Sequence, residues 1–452
     1  MSDANVALET AAAQQDAVET QLPPLLREFG TTGLQRQGGF ISEEYLQELK
    51  GIRGIRVFKE MEENDPIASA MMFSLQKLIG RLDWGIEPPP DATPDEDYWT
   101  NFVRECWDDM EAPWTNVLDD ILSLTSYGWS YLESNYKIRS GPESAEEWRR
   151  SEFTDNRIGW RSFRIRSQDT LSSWVYDDAG NLLGMEQMDP NGGGMRTIPL
   201  GKALLFRTTT FKDNPEGRSM LRGAYRPWYY KKRIEDYEGI GIERDLAGLP
   251  IGTLPADYFA ENAPADKKAT LRVMQQLVEN VRNDAAGGVV LPVAFDNNGN
   301  KIIDFQLLAS PGQKGFDTNS VIKRKSEEMA MSILMDFLML GHSDTGSFAL
   351  GTAKIDLWTM AVDALARGIS ETFNEYAIKK LLRFNRVTGV RPPVLTYGEV
   401  ANVDLEALGN FLQKAVDTGL LVAGPEMDKF IRTIAKLPEA EEVPFTDAPP
   451  AQ

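Results

Sequence analysis

Between Tyr225 and Pro255 the chain reads YRPWYYKKRIEDYEGIGIERDLAGLPIGTLP, a basic and aromatic helical segment running straight into an extended stretch punctuated by Gly and Pro. In the helix that starts near Pro227, the residues Trp228, Tyr229, Lys231, Lys232, Arg233, Tyr237 and Glu238 leave no single apolar stripe. Such a helix bridges domains or packs against copies of itself, because no one face can be sunk into a core. Ile242 to Leu254 then reads as extended, Lys267 to Asn283 as a helix, and Gly288 to Leu308 as a hairpin turning at Asn297-Asn298-Gly299-Asn300. A second long helix is expected from Asn319 to Leu340, opening near Lys323-Arg324-Lys325 and becoming Met-rich. The pattern is a rod, a compact β-rich insert, and a second rod.

Upstream, residues 1–40 combine an Ala/Gln-rich stretch, Pro23-Pro24 and the run Gly30 to Gly39, which reads as an arm with little core of its own. A short helix is expected from Ser42 to Lys50, then a core helix over Ile67 to Ile79 (IASAMMFSLQKLI) with Asn64 or Asp65 placed to cap it. After the break Pro88 to Pro94, helical patterns run over Tyr98 to Met110 and Val117 to Ser126. Gly128 ends the second, and Trp129 to Ile138 alternates as a strand. Between Phe163 and Phe211, short strands are parted by turns at Asp177 to Asn181 and Asp189 to Gly194, as in a meander. Downstream of the second rod, Gly341 to Thr352 (GHSDTGSFALGT) is small, polar and glycine-rich, with Phe348 its single aromatic. In the helix that follows, Ile355, Trp358, Val362, Leu365, Ile369, Phe373 and Tyr376 recur at three and four residues. Two more helical patterns, parted by Gly424-Pro425, lie between Asp404 and Lys436, and the acidic, Pro-rich stretch from Pro438 is expected to be disordered.

A chain of 452 residues, 42% hydrophobic and 10% aromatic, can build two or three packed modules and is not a disordered protein. With Cys106 as its one cysteine it forms no intramolecular disulfide; a buried bystander thiol is the simplest reading, and a reducing compartment fits. The start MSDANVALET has neither a basic nor an apolar leader region, and the most apolar run, Met329 to Leu340, is short and contains Asp336, so neither export nor membrane spanning is expected. The net charge of −20 has the wrong sign for gripping phosphates over a broad basic face. A Ser-His-Asp triad or a His-containing metal site would have to use His342, the one histidine, so no metal or cofactor is expected. The nearest approach to a phosphate-binding loop, Gly201-Lys202, has Ala203 where Ser or Thr is needed and Arg196 where the leading glycine belongs. Carboxylate pairs at Asp108-Asp109, Asp119-Asp120, Asp177-Asp178 and Glu327-Glu328, with ten tryptophans, keep an acidic glycoside hydrolase as the enzyme alternative. Adjacent carboxylates point apart, however, whereas glycosidases draw acid and base from separated elements. Turn or surface roles for these pairs, and core or contact roles for the tryptophans, are expected.

Several segments, taken in order, resemble the portal proteins of tailed bacteriophages, the ring-shaped head-to-tail connectors through which DNA enters and leaves the capsid. Asn64-Asp65-Pro66 opens an apolar helix ending in Arg81-Leu82-Asp83-Trp84-Gly85-Ile86-Glu87-Pro88. Then come Tyr127-Gly128-Trp129-Ser130-Tyr131-Leu132-Glu133 and, before the first rod, Pro215-Glu216-Gly217-Arg218-Ser219-Met220-Leu221-Arg222. The rod-insert-rod pattern resembles the family's stem and clip, and the whole resemblance covers roughly residues 40 to 385.

The resemblance implies an α+β protein of portal architecture. Its expected parts are an N-terminal arm (1–40), a wing (41–222), a first stem helix (223–245), a clip (246–317) and a second stem helix (318–340). A tunnel loop (341–353), a long channel or wing helix with a return to the wing (354–398), a helical crown (399–437) and a disordered tail (438–452) would follow. It also implies a closed cyclic homo-oligomer, expected to be a dodecamer, round a channel that holds double-stranded DNA transiently and without sequence preference. In it, His342, Ser343, Asp344, Thr345, Ser347 and Phe348 would stand in the channel loop. Lys323, Arg324, Lys325, Lys231, Lys232 and Arg233 would form basic rings along the stem, or pair with Glu235, Asp236 or Glu238 of a neighbour. Asp257, Tyr258, Lys267, Lys268, Asn297 and Asn298 would face the terminase or an adaptor from the clip. Lacking a phosphate-binding loop, the chain would borrow its ATPase from the large terminase, later replaced by head-completion proteins; major capsid and scaffold proteins are further implied partners. Net acidity suits a conduit, since each neutralised phosphate adds friction to sliding DNA, although an ordinary solvated surface has the same composition. The implied location is the portal vertex of the virion, with assembly in host cytoplasm. Another virion or head-completion subunit is the structural alternative.

Overall fold

The computed structural model describes residues 29–247, 249–280, 304–308, 317–335 and 348–399. A small ladder pairs β1 (Arg36–Gln37) with β2 (Phe40–Ile41). Helix α1 (Gly51–Asn64) buries Gly54, Ile55, Phe58 and Met61 along one face. The expected helix at Ser42 to Lys50 is instead a single 3-10 turn, Gln47–Leu49, and α1 lies where no helix was expected. Gly51 and Gly54 each lower helix propensity by about 1 kcal/mol, and burial overrides that local cost. Gly54 is bare for a reason of packing, since a Cβ there would stand 2.2 Å from the Leu49 carbonyl oxygen.

Helix α2 (Pro66–Gly80) starts as its sequence dictates. Asp65 Oδ1 accepts from the backbone N–H groups of Ile67 (2.9 Å) and Ala68 (3.1 Å), and Pro66 occupies the first turn. Strand β3 (Gly85–Glu87) leads to α3 (Pro94–Asp108), which begins four residues before Tyr98 because Thr93 and Glu96 form a reciprocal capping box. The Glu96 carboxylate also accepts from Arg391 Nε (2.7 Å) and Nη2 (2.8 Å); with the Thr93 backbone, that guanidinium holds its carboxyl well below the usual range. Helices α4 (Trp114–Leu122) and α5 (Leu124–Tyr127) end at Gly128, whose φ of 94° needs a glycine.

Strand β4 (Trp129–Ile138) has the bounds that its alternation predicts and lies between β5 (Ile158–Ile165) and β9 (Ala203–Arg207), antiparallel to both. The meander is β6 (Leu171–Tyr176), β7 (Leu182–Met188) and β8 (Met195–Pro199), with Asp177 Oδ1 accepting from Asn181 N (2.6 Å) in the first turn and Asp189 Oδ1 from Asn191 N (2.9 Å) in the second. The two sheets share a small core of Trp129, Tyr131, Trp174, Met185 and Ile198, tied by Tyr131 Oη donating to the Ile198 carbonyl at 2.9 Å.

Next come α6 (Tyr225–Ala247), β10 (Leu249–Thr253), α7 (Ala265–Asn280), β11 (Asp304–Leu308) and α8 (Thr318–Met331). The rods α6 and α8 lie side by side and antiparallel. A Cβ on Gly223 would meet Ser332 Cβ at 3.1 Å at one end, and the Thr318 hydroxyl donates to Glu238 about four turns away. At the far end β10 and β11 pair from Leu249↔Leu308 to Thr253↔Asp304, and α7 covers them; a Cβ on Gly252 would stand 2.8 Å from Met274 Cγ.

Three further element boundaries differ from expectation. The extended segment expected from Ile242 starts at Leu249, because α6 runs on through Glu243-Arg244-Asp245-Leu246-Ala247. The second rod ends at Met331 rather than reaching Leu340, with Leu334 at φ 62° and Met335 N donating to the Ala330 carbonyl (2.9 Å). A leucine in that conformation costs about 1 kcal/mol, less than the roughly 1.5–3 kcal/mol from burying each of Ile333 and Met335. Finally, α9 (Phe348–Phe373) takes residues 348–353 out of the expected loop, placing Phe348 in the first helical turn, where Ala349, Leu350 and Ala353 outweigh Gly351 in propensity. A π-helical turn (Asn374–Ile378), α10 (Lys379–Phe384) and β12 (Val394–Thr396, paired with β3) complete the body. The expected arm as far as residue 28, the turn at Asn297 and Asn298, loop residues 341–347, the crown from 400 and the tail lie outside the described residues.

The main core centres on Phe373. Its fully buried ring meets Trp107 (5.8 Å), Trp114 (5.2 Å), Trp160 (5.3 Å) and Phe163 (5.5 Å) edge-on, so α9 is locked against α3, α4 and β5.

Candidate functional site

The two glycine-bearing motifs quoted from the sequence meet directly. A Cβ on Gly217 (φ 54°) would stand 2.2 Å from the Gly128 carbonyl oxygen, and one on Gly128 would stand 2.6 Å from the Glu216 carbonyl oxygen. Thr208 stitches the crossing: its N–H donates to the Gly128 carbonyl (3.0 Å) and its hydroxyl to the Arg218 carbonyl (2.6 Å). Ser219 Oγ donates to the Ser126 carbonyl (2.5 Å) and accepts from Leu221 N (3.1 Å), which starts the turn into α6. Trp174 Nε1 donates to Glu216 Oε1 (3.1 Å) from the meander. Burial pushes the Glu216 carboxyl up to about 7 despite that bond.

The base of the first rod is locked to the body by charge. Lys231 Nζ donates to Asp65 Oδ2 at 2.6 Å, both side chains being nearly inaccessible, so Asp65 caps α2 with one oxygen and holds α6 with the other. Arg222 grips Glu44 through Nε (2.6 Å) and Nη2 (2.8 Å).

These contacts sort the residues expected to face a channel. The Lys231 ammonium is sunk against Asp65 and lies 3.3 Å from Glu235. Lys232 pairs with Glu60 over the Trp228 ring, and the Arg233 guanidinium lies 4.6 Å from the Tyr229 ring centre. On α8 the trio divides. Lys325 turns to Glu328 (2.7 Å), Arg324 is exposed 3.9 Å from the same carboxylate, and Lys323 is exposed with no ion pair among the described residues. In the insert, Lys267 pairs with Asp257 and lies 5.3 Å from the Tyr258 ring centre, while Lys268 Nζ donates to the Glu261 carbonyl (2.6 Å). Four of the six residues expected on the clip therefore share one neighbourhood; Asn297 and Asn298 lie outside the described residues, as do His342, Ser343, Asp344, Thr345 and Ser347.

From Arg226 outward one side of the rod is bare. Arg226, Tyr230, Arg233, Tyr237 and Ile240, spaced four and three residues apart, form one exposed stripe in which Tyr237 is 67% accessible. That spacing was readable in the sequence, but only the packing of α8 on the opposite face singles it out.

Compared with known proteins, residues 55–434 match the family of the portal protein of Mu bacteriophage. The chain belongs to that portal family. Its backbone is similar to a chain in the virion of a native gene transfer agent particle (TM-score 0.51, 11% identity, covering 85% of this chain and 94% of that one). It is similar also to a chain in the neck of an empty gene transfer agent particle (TM-score 0.50, 12% identity, 85% and 94% covered). At these identities the likeness is one of fold.

In this portal protein one member of each sequence-adjacent carboxylate pair has a structural partner, Asp119 for instance lying 3.5 Å from Lys77 Nζ. Asp109 Oδ2 accepts from Lys137 Nζ (2.9 Å) and Ser151 Oγ (2.6 Å), Asp177 closes a hairpin turn, and Glu328 serves α8. Cys106 is buried, its thiol pushed up to about 12 by that burial, which suits packing and not nucleophilic chemistry. Gly201-Lys202 sits in a 3-10 turn where Lys202 pairs with Glu133 (2.6 Å). Among the described residues no group of His, Cys, Asp or Glu is arranged to hold a metal ion, and no helix is long and apolar enough to cross a membrane.

Proposed function

We propose that copies of this chain close into a ring, with the α6–α8 hairpins side by side round a channel that passes double-stranded DNA at the capsid vertex of a virion. The observation that carries this reading is the antiparallel hairpin itself, sunk at its base and bare along Tyr230, Tyr237 and Ile240, with the β10–β11–α7 insert at its tip. A soluble monomer seldom leaves such a stripe open; repeated by rotation, a head-to-tail contact covers it in every copy. The fold likeness to a chain from a particle neck described with C6 symmetry supports the same arrangement, and twelve copies is the number the family resemblance implies.

In the ring, outward cations on the second rod, Lys323 and Arg324, give DNA a weak, salt-sensitive contact without base readout. The insert, with Asp257, Tyr258, Lys267 and Lys268, faces the terminase and later the head-completion proteins. The segment from His342 to Ser347 narrows the channel, an assignment that rests on the family resemblance.

Negative-stain images of the purified chain test the ring: annuli with rotational symmetry are expected, and a solitary compact particle would end the proposal. Tyr237→Ser with Ile240→Ser should lower ring yield while leaving the circular dichroism of the chain unchanged. Undiminished rings would move the subunit contact off α6.

A further inference from the structure

The chain is acidic overall, yet one surface of the body runs the other way. α10 and the turn after it carry Lys379, Lys380, Arg383 and Arg386 with no acidic residue among them. Lys380 Nζ donates to the Gly201 carbonyl (2.6 Å), which brings Lys202 alongside, and Lys202 shares Glu133 with Arg166. Six cations therefore gather with two carboxylates, Glu133 and Glu375, the second paired with Lys379. Arg383 and Arg386 are exposed and make no ion pair or side-chain hydrogen bond among the described residues. Burial, and then the charge of Arg383, press the Lys380 ammonium below its ordinary pKa, as expected for a cation whose neighbouring charge has its own sign.

The helix dipole does not account for this concentration. A helix C-terminus presents about half an elementary negative charge, enough to favour one cation rather than four. Arg386 adds a second sign. The helix closes by Arg386 N donating to the Arg383 carbonyl (3.0 Å) and Val387 N to the Leu382 carbonyl (3.0 Å), with Arg386 at φ 57°. Glycine ordinarily fills that left-handed position, so the arginine stands there against the preference of the backbone.

We infer that the surface formed by Lys202, Lys379, Lys380, Arg383 and Arg386 is a contact for the phosphate backbone of double-stranded DNA, separate from the stem hairpin. Lys379, Arg383 and Arg386 are four and three residues apart on one helix end, spread over about 10 Å. Duplex DNA offers one negative charge per about 1.7 Å of axis, so several phosphates meet that row at once, without base readout. The inference rests on the portal reading only in choosing DNA over an acidic polypeptide.

The test measures binding of a short labelled duplex of mixed sequence to the full chain in its native oligomer, across a series of salt concentrations. Arg383→Glu with Arg386→Glu breaks no bond within the described residues. It is expected to weaken binding at low salt by about tenfold or more and to reduce the salt slope by about 2, roughly 0.9 for each lost phosphate contact. Arg386→Gly should raise the thermal midpoint and weaken DNA binding together. The inference is overturned if the double variant binds as wild type does, if Arg386→Gly gains stability with affinity intact, or if polyglutamate binds the patch more tightly than the duplex. Particle size is scored in parallel, so a chain that binds DNA through this patch without forming rings would sink the ring proposal and leave this one standing.

Discussion

The body and the stem hairpin of this portal protein handle the same residue types in opposite ways. In the body, aromatic rings converge on Phe373, and the buried carboxylate of Asp109 is held by Lys137 and Ser151. In the hairpin only the base is built like that. Tyr225, Trp228 and Lys231 are buried, whereas Tyr230, Tyr237 and Ile240 on the same helix lie open. The body has paid for its own order within one chain; the outer hairpin has apolar surface left over that a second copy can cover. Stability is thus built into the base of the helix, and the proposed subunit contact falls on its outer stretch.

The strongest way to break that contrast is Phe373→Ala. Removing a fully buried ring that touches four others should cost about 4–5 kcal/mol of unfolding free energy by denaturant titration. A loss near 1 kcal/mol would show that the body is not organised round this ring. Next in size is Asp65→Ala, which leaves Lys231 buried without its partner and removes the cap of α2; about 3 kcal/mol should be lost. Adding Lys231→Met should recover most of it, whereas no recovery would mean that the cap alone mattered and the rod is not locked by charge.

The smallest effect concerns the seam. Because burial raises the Glu216 carboxyl to about 7, the folded chain binds that proton more tightly than the unfolded chain, whose carboxyl titrates near 4.5. Its contribution is therefore fully present below about pH 4.5 and is lost as pH rises through about 7. Glu216→Gln keeps an acceptor for Trp174 Nε1 and removes the titration. It should be more stable than wild type by about 1–2 kcal/mol near pH 8 and no more stable near pH 4, read from thermal midpoints across pH. A pH-independent difference would mean that the carboxyl is solvated and the seam is loose.

Much of the fold was legible locally. Asp65-Pro66 announces α2, the alternation over Trp129 to Ile138 marks β4, the Asp and Gly turns divide the meander, and the two rods were expected on either side of a small insert. What escaped had a tertiary cause. α1 carries two glycines in its first turn, so its buried face was not apparent; α8 stops at Met331 because Ile333 and Met335 go into the core; α9 starts at Phe348 inside what reads as a glycine-rich loop.

By itself the sequence determined the type and order of most elements and the order of the motifs, because caps, turns and periodicities act within a few residues of chain. It also contained Gly128 and Gly217, but not the fact that each is bare to let the other's backbone pass. Lys231, Lys232 and Arg233 are consecutive in sequence, and only the fold gave the first of them a buried partner, Asp65, 166 residues away. Which charges turn inward is decided by desolvation and long-range pairing, and those exist only once distant segments have been brought together.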